Sequence, residues 1–168
     1  MLHDLRVAFN AVDLALYRRV RSLAHTPETV LWVRRYSQLG EHGAVWLAIG
    51  LAGTAADRRR RRRWLRATGC VGIAYLISTS IKLAIGRRRP VVDDLPHLMA
   101  TPTGLSFPSS HSTSSFAAAQ AFGRLLPPVP LLGAATGMAF SRLYLGVHYP
   151  SDVAAGAALG TLIGSLGR

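Results

Sequence analysis

Three short stretches, KLAIGRRRP at 82–90, FPSSH at 107–111 and SRLYLGVHYPSD at 141–152, gather lysine, arginine, histidine and aspartate beside apolar segments. Ionisable side chains bordering membrane-length apolar runs are costly and default to a functional reading. Lys82, Arg89 and Arg142 can surround a phosphoryl group with positive charge and stabilise its equatorial oxygens as charge redistributes in a transition state. Pro108 suits the first position of a helix. The N–H groups of Ser109, Ser110 and His111 would then point out of a helix N-terminus toward an anion, with the serine hydroxyls as further donors. Pro150 likewise starts a helix, which leaves His148 just ahead of it and Asp152 in its first turn, close enough to bond the imidazole and fix its tautomer. A histidine held by a carboxylate is a credible nucleophile. Each stretch also has a plainer reading. Arg87-Arg88-Arg89 is a membrane-edge anchor, and Arg87 and Arg88 fit that role; a histidine near a helix end is structural; Asp152 is a favourable acid in a first turn. These readings leave the order, spacing and common face of the three stretches unexplained.

Hydropathy patterning supplies the elements that must carry these groups. Residues 4–24 mix Leu5, Phe9, Val12, Leu16 and Val20 with Asn10, Asp13, Arg18, Arg19 and Arg21, an amphipathic helix lying on a membrane. Thr26-Pro27-Glu28 reads as a cap and first turn, with a second short helix running to about Ser37. Spans follow at 39–56, 64–85, Ser112 to Leu126, Val129 to Val147 and Ser151 to Gly167, the third short for a bilayer that needs about 20 apolar residues. The fold class is all-α: a single domain over 1–168, a polytopic membrane bundle of about five spans (39–168) behind interfacial N-terminal helices (1–38). Alternating spans put all three charged stretches on one membrane face, with Arg58–Arg63 and the Pro127-Pro128 turn on the other. Gly133 and Gly137, then Gly156, Gly160 and Gly164, repeat at the four-residue spacing that lets helices approach closely, and they leave a homo-oligomer open.

Composition agrees. The chain has 168 residues, 49% hydrophobic, with a formal net charge of +12, and its mean hydropathy is positive. The charge lies in blocks between apolar runs, which suits a small membrane protein and not a nucleic-acid footprint. The single Cys70 carries no information on redox compartment.

Lys82 with Arg89-Pro90, Pro108 through His111, and Ser141-Arg142 with His148 and Asp152 together resemble the tripartite signature of the type 2 phosphatidic acid phosphatase family, across residues 82–152. The resemblance implies a membrane-embedded helical core and hydrolysis of lipid phosphates with no metal or other cofactor. It implies that His148 attacks phosphorus to form a phosphohistidine, that Asp152 holds it, and that His111 protonates the leaving oxygen. Lys82, Arg89, Ser109, Ser110, Ser141 and Arg142 would bind the phosphate. Serine stands at 110 where the family usually has glycine, and five spans stand where it usually has six. The expected substrate is a polyprenyl-linked phosphate of cell-envelope synthesis, such as decaprenylphosphoryl-phosphoribose with its terminal phosphate or a polyprenyl diphosphate, with membrane lipids as surroundings and no nucleic-acid partner. A phospholipid phosphatase acting on phosphatidic acid or phosphatidylglycerol phosphate, and a non-catalytic lipid-phosphate binder, are the alternatives. The arginine run, Arg66, Arg124 and Arg168 favour a bacterial plasma membrane with that side in the cytoplasm and the site outside.

Overall fold

The computed structural model describes residues 2–23 and 25–168, with side chains described from Asn10 onward apart from residue 24. Seven α-helices follow in order: α1 (Leu2–Arg21), α2 (Pro27–Leu39), α3 (Ala44–Ala56), α4 (Arg61–Ile85), α5 (Ser110–Ala121), α6 (Pro128–Tyr144) and α7 (Pro150–Ser165), with 3-10 turns at Glu41–Gly43 and Arg58–Arg60. Thr26 caps α2 through Oγ1, which accepts the N–H of Thr29, as its sequence position predicts. α4 ends at Gly86, whose left-handed φ of 66° lets its N–H return to the Lys82 carbonyl.

α5 is the central helix. At 12 residues it is about 18 Å long, shorter than the expected third span, and it is enclosed by α4, α6 and α7. Its serines, threonine and alanines are small enough for those neighbours to approach closely, and Ser112 through Ser115 and Ala117 through Ala119 are buried. The α7 glycines make the tightest approach: a Cβ on Gly156, Gly160 or Gly164 would stand 2.6, 2.2 or 2.4 Å from a carbonyl oxygen of Ser109, Thr113 or Ala117. On α6, Gly133 has no neighbour within 4 Å among the described residues, whereas a Cβ on Gly137 would lie 3.3 Å from the Tyr36 hydroxyl of α2. On the other flank Trp46, Trp64, Phe122, Leu131 and Ala135 form the main apolar core, and Trp46 Nε1 donates to Ser115 Oγ at 2.8 Å.

The 28-residue helical segment Arg58–Ile85 is long and apolar enough to cross a membrane, the one such segment among the described residues. Leu51, Leu76, Leu132 and Leu162 are exposed on the outer faces of α3, α4, α6 and α7. α1 differs from a helix resting on a surface by its apolar side. Val12 and Leu16 face outward, while Asp13, Tyr17 and Arg21 are buried against the bundle. Leu5 and Phe9 of the expected apolar face lie outside the described side chains.

Candidate active site

The C-terminal end of α4, the N-terminal end of α5 and the α6–α7 turn meet at one end of the bundle, and the arginine run that precedes α4 lies at the other. A cavity of about 120 Å³ opens there, lined by Lys82, Arg89, Ser110, His111, Arg142 and His148, with Gly40, Glu41, His42, Tyr75, Thr79, Pro102 and Thr103 around its rim. Six of the nine site residues expected from sequence thus line a single cavity.

Each cation is tethered by neutral acceptors. Lys82 Nζ donates to the carbonyls of Ser106 (3.1 Å) and Pro108 (2.6 Å). Arg89 Nε donates to Thr103 O at 2.9 Å and its Nη1 to Val147 O at 2.5 Å. Arg142 Nη1 donates to Ser37 Oγ at 2.5 Å, and its Nε is buried without a partner. These bonds fix the side chains without a direct ion pair among the described residues, and the three cations outnumber the one carboxylate that lines the cavity, Glu41, the arrangement that favours an incoming anion.

The histidine tautomers follow from their neighbours. Arg89 Nη1 lies 3.1 Å from His148 Nε2; a guanidinium only donates, so Nε2 presents a lone pair to the cavity and the proton sits on Nδ1. Nδ1 faces Asp152 Oδ2 at 3.5 Å, longer than a formed hydrogen bond, so Asp152 orients the ring at a distance. Burial lowers the His148 pKa well below the usual value, and the nearby charges of Arg142, Arg89 and Lys82 add to it. The imidazole is therefore neutral at physiological pH, with its Nε2 lone pair held toward the Arg89 guanidinium. His111 Nε2 lies 3.2 Å from Ser37 O; a carbonyl only accepts, so this nitrogen carries the proton.

Four expectations need correction. Pro108 is not the first helical residue of α5. It follows a cis Phe107–Pro108 bond, and the helix starts at Ser110 with Ser109 as its N-cap. Ser109 is fully buried, its N–H spent on Asp152 O at 3.0 Å, so it does not line the cavity. Ser141 likewise turns away, donating to Met138 O at 2.7 Å. Arg87 is not a membrane-edge anchor. Its Nη1 donates to Asp152 Oδ1 at 2.8 Å and its Nη2 to Asp13 Oδ2 at 2.7 Å. Ser110 has no positive φ, a state held among the described non-glycine residues by His42 alone, at 53°. Glu41, His42 and Asp13 were missed as site groups. Glu41 and His42 read as the polar end of a span, and Asp13 as one more polar residue of an amphipathic helix.

Residues 63–167 match the family model described as the PAP2 superfamily. The chain belongs to the PAP2 superfamily. Mycobacterium tuberculosis decaprenylphosphoryl-5-phosphoribose phosphatase is 42% identical over 156 residues, 92% of this PAP2 chain and 88% of that protein. The Bacillus subtilis transmembrane PAP2-type phosphatidylglycerolphosphate phosphatase superposes with a TM-score of 0.77 at 25% identity, covering 95% of this chain and 84% of that one. Aquifex aeolicus LpxE gives the same TM-score at 23% identity, covering 92% and 93%, a likeness of fold.

Proposed function

We propose that this chain is a lipid phosphatase that removes the terminal phosphate from a polyprenyl-linked phosphate, with decaprenylphosphoryl-5-phosphoribose or a close analogue as the leading substrate. The observation that carries the reading is the convergence of Lys82, Arg89 and Arg142 with a lone-pair-bearing His148 Nε2 on one cavity. The tail and sugar come from the mycobacterial relative, whose name states its substrate. His148 Nε2 forms a bond to phosphorus as the bond from phosphorus to the lipid oxygen breaks. His111, doubly protonated beside the bound phosphate dianion, passes one proton to that oxygen and keeps its Nε2–H on Ser37 O, and Asp152 steadies the His148 imidazole as it becomes positively charged. Water then attacks the phosphohistidine, the P–N bond breaks, and His111 takes back a proton as inorganic phosphate leaves. Lys82, Arg89, Arg142 and Ser110 hold the phosphoryl oxygens, with Ser109 and Ser141 supporting from behind the wall. No metal is required, because these cations supply the charge. Further helices cross beside α4 in a bacterial plasma membrane. The end carrying Arg58–Arg63, Arg66, Arg124 and Arg168 faces the cytoplasm, so the cavity opens outside.

The test is phosphate release by purified protein in detergent with EDTA present, across decaprenylphosphoryl-5-phosphoribose, undecaprenyl diphosphate, phosphatidic acid and phosphatidylglycerol phosphate. The polyprenyl substrates should be preferred, and His148→Ala should abolish both turnover and phosphoenzyme trapping. Preference for a glycerolipid would overturn the tail assignment. Turnover by His148→Ala would remove the nucleophile.

A further inference from the structure

Three polar residues of α1, spaced four apart, are buried against the turn that carries His148. Asp13 is 3% exposed, Tyr17 1% and Arg21 7%. Tyr17 donates to Gly146 O at 3.2 Å and Arg21 Nη1 to Tyr144 O at 2.9 Å. Gly146 adopts a φ of 76°, and a Cβ there would lie 2.9 Å from both the Tyr17 hydroxyl and Arg21 Nε. Asp13 makes the most direct connection to the nucleophile. Its Oδ1 accepts the backbone N–H of Ser151 at 2.9 Å, and its Oδ2 accepts the Ser151 hydroxyl at 2.5 Å and Arg87 Nη2 at 2.7 Å.

Arg87 passes that contact inward. Its Nη1 donates both to Ser151 Oγ at 2.7 Å and to Asp152 Oδ1 at 2.8 Å, and its guanidinium stacks over the Tyr149 ring at 4.2 Å. Asp152 is left with one oxygen bound by Arg87. The other is shared between the Tyr149 N–H at 2.9 Å and the His148 ring. A guanidinium facing one carboxylate alone would compete with the imidazole for it. Divided between two carboxylates by its planar fork, Arg87 can hold Asp152 in position and leave Oδ2 facing Nδ1.

We propose that Asp13 and Arg87 are positioning residues for the lipid-phosphatase reaction: the N-terminal helix, through the Asp13–Arg87–Asp152 relay, sets the carboxylate that orients His148. Neither residue touches the phosphoryl group. The proposal rests on the phosphatase reading above, and it gives one residue of α1, Asp13, a share in positioning the nucleophile. Outer-shell carboxylates that orient metal-binding histidines are worth about 10- to 100-fold in affinity or activity, and the same scale is expected for a carboxylate that orients a nucleophilic histidine.

Steady-state kinetics of full-length protein in detergent on decaprenylphosphoryl-5-phosphoribose tests this with Asp13→Asn, Asp13→Glu, Arg87→Gln, the Asp13→Asn/Arg87→Gln double variant and Tyr17→Phe. Asp13→Asn should lower kcat about tenfold with KM unchanged, and Asp13→Glu should restore most of it. The double variant should be no slower than Arg87→Gln by more than about twofold, since both act through one relay. Tyr17→Phe removes a neighbouring α1 contact without touching the relay and should keep wild-type kcat. Wild-type kcat in Asp13→Asn, additive losses in the double variant, or an equal kcat loss in Tyr17→Phe would each overturn the proposal and leave the phosphatase reading standing. Should Asp13→Asn fail to fold, the comparison of Asp13→Glu, Arg87→Gln and Tyr17→Phe decides the question. Wild-type protein that releases no phosphate from any lipid phosphate overturns both.

Discussion

Gly160→Ala tests whether the α5–α7 contact sets the geometry of the cavity. The Cβ it adds would lie 2.2 Å from Thr113 O and 2.9 Å from the Thr113 carbonyl carbon, where ordinary contact begins at 3.4 Å. Both atoms are backbone, so no side chain can swing aside and the helices must part by about 1 Å. Thr113 stands two residues beyond His111 on α5, and Gly160 stands two turns beyond Asp152 on α7. The displacement therefore falls between the donor of the leaving-group proton and the nucleophile pair. A misplacement of about 1 Å among reacting groups costs on the order of 100-fold in rate, and overpacking adds about 1–3 kcal/mol of destabilisation. The gain in helix propensity from glycine to alanine, about 1 kcal/mol, does not offset it. Gly133→Ala is the control: nothing lies within 4 Å of its Cβ, so it should keep kcat and raise thermal stability slightly. Phosphate release and thermal midpoints of both variants in one detergent make the comparison. Wild-type kcat in Gly160→Ala would refute the idea that α5 and α7 register the site.

Two shorter predictions follow from the site. The buried His148 stays neutral in the fold, with its pKa pushed well below the usual value by burial and nearby cations. An unfolded histidine titrates near about 6.5, so the unfolded chain takes up a proton that the folded one refuses, and this contribution is lost as pH falls below that value. Its limit is about 1.4 kcal/mol per pH unit; thermal midpoints at pH 7.5 and 5.5 should fall further for wild type than for His148→Gln, and equal falls would contradict it. Ser141→Ala should leave KM for lipid phosphate unchanged, because the hydroxyl it removes is bonded to Met138 O inside α6; a severalfold rise in KM would return Ser141 to the phosphate site.

The residues that meet at the cavity were legible in the sequence because the chemistry proposed for them is carried by rare residue types at fixed spacing: the one lysine, two histidines and an aspartate after Pro150. The N-cap of α2 and the start of α7 were legible for the same local reason, since a cap residue or proline acts within a turn. The start of α5 was not, because a proline before a helix and a proline inside its first turn look alike until the backbone path of Phe107 is known. Asp13 and Arg87 were illegible in a deeper sense. Their pairing spans 74 positions in the chain, and each sits among residues that a membrane surface would also explain. The buried polar stripe of α1 inverts the pattern that hydropathy suggests, because a lipid-facing exterior exchanges the roles of inside and outside.

The order of the active groups along the chain has a consequence for biogenesis. A polypeptide synthesised only through α5 already holds Lys82, Arg89 and His111, yet it lacks His148, the proposed nucleophile. The Arg89 bond to Val147 and the Leu98 N–H bond to Leu145 O join the 86–109 segment to a turn that emerges some forty residues later. The cavity is complete only when α6 and α7 seat against α5, since Arg142 and His148 line it; on the proposed mechanism a chain that stops before them consumes no lipid.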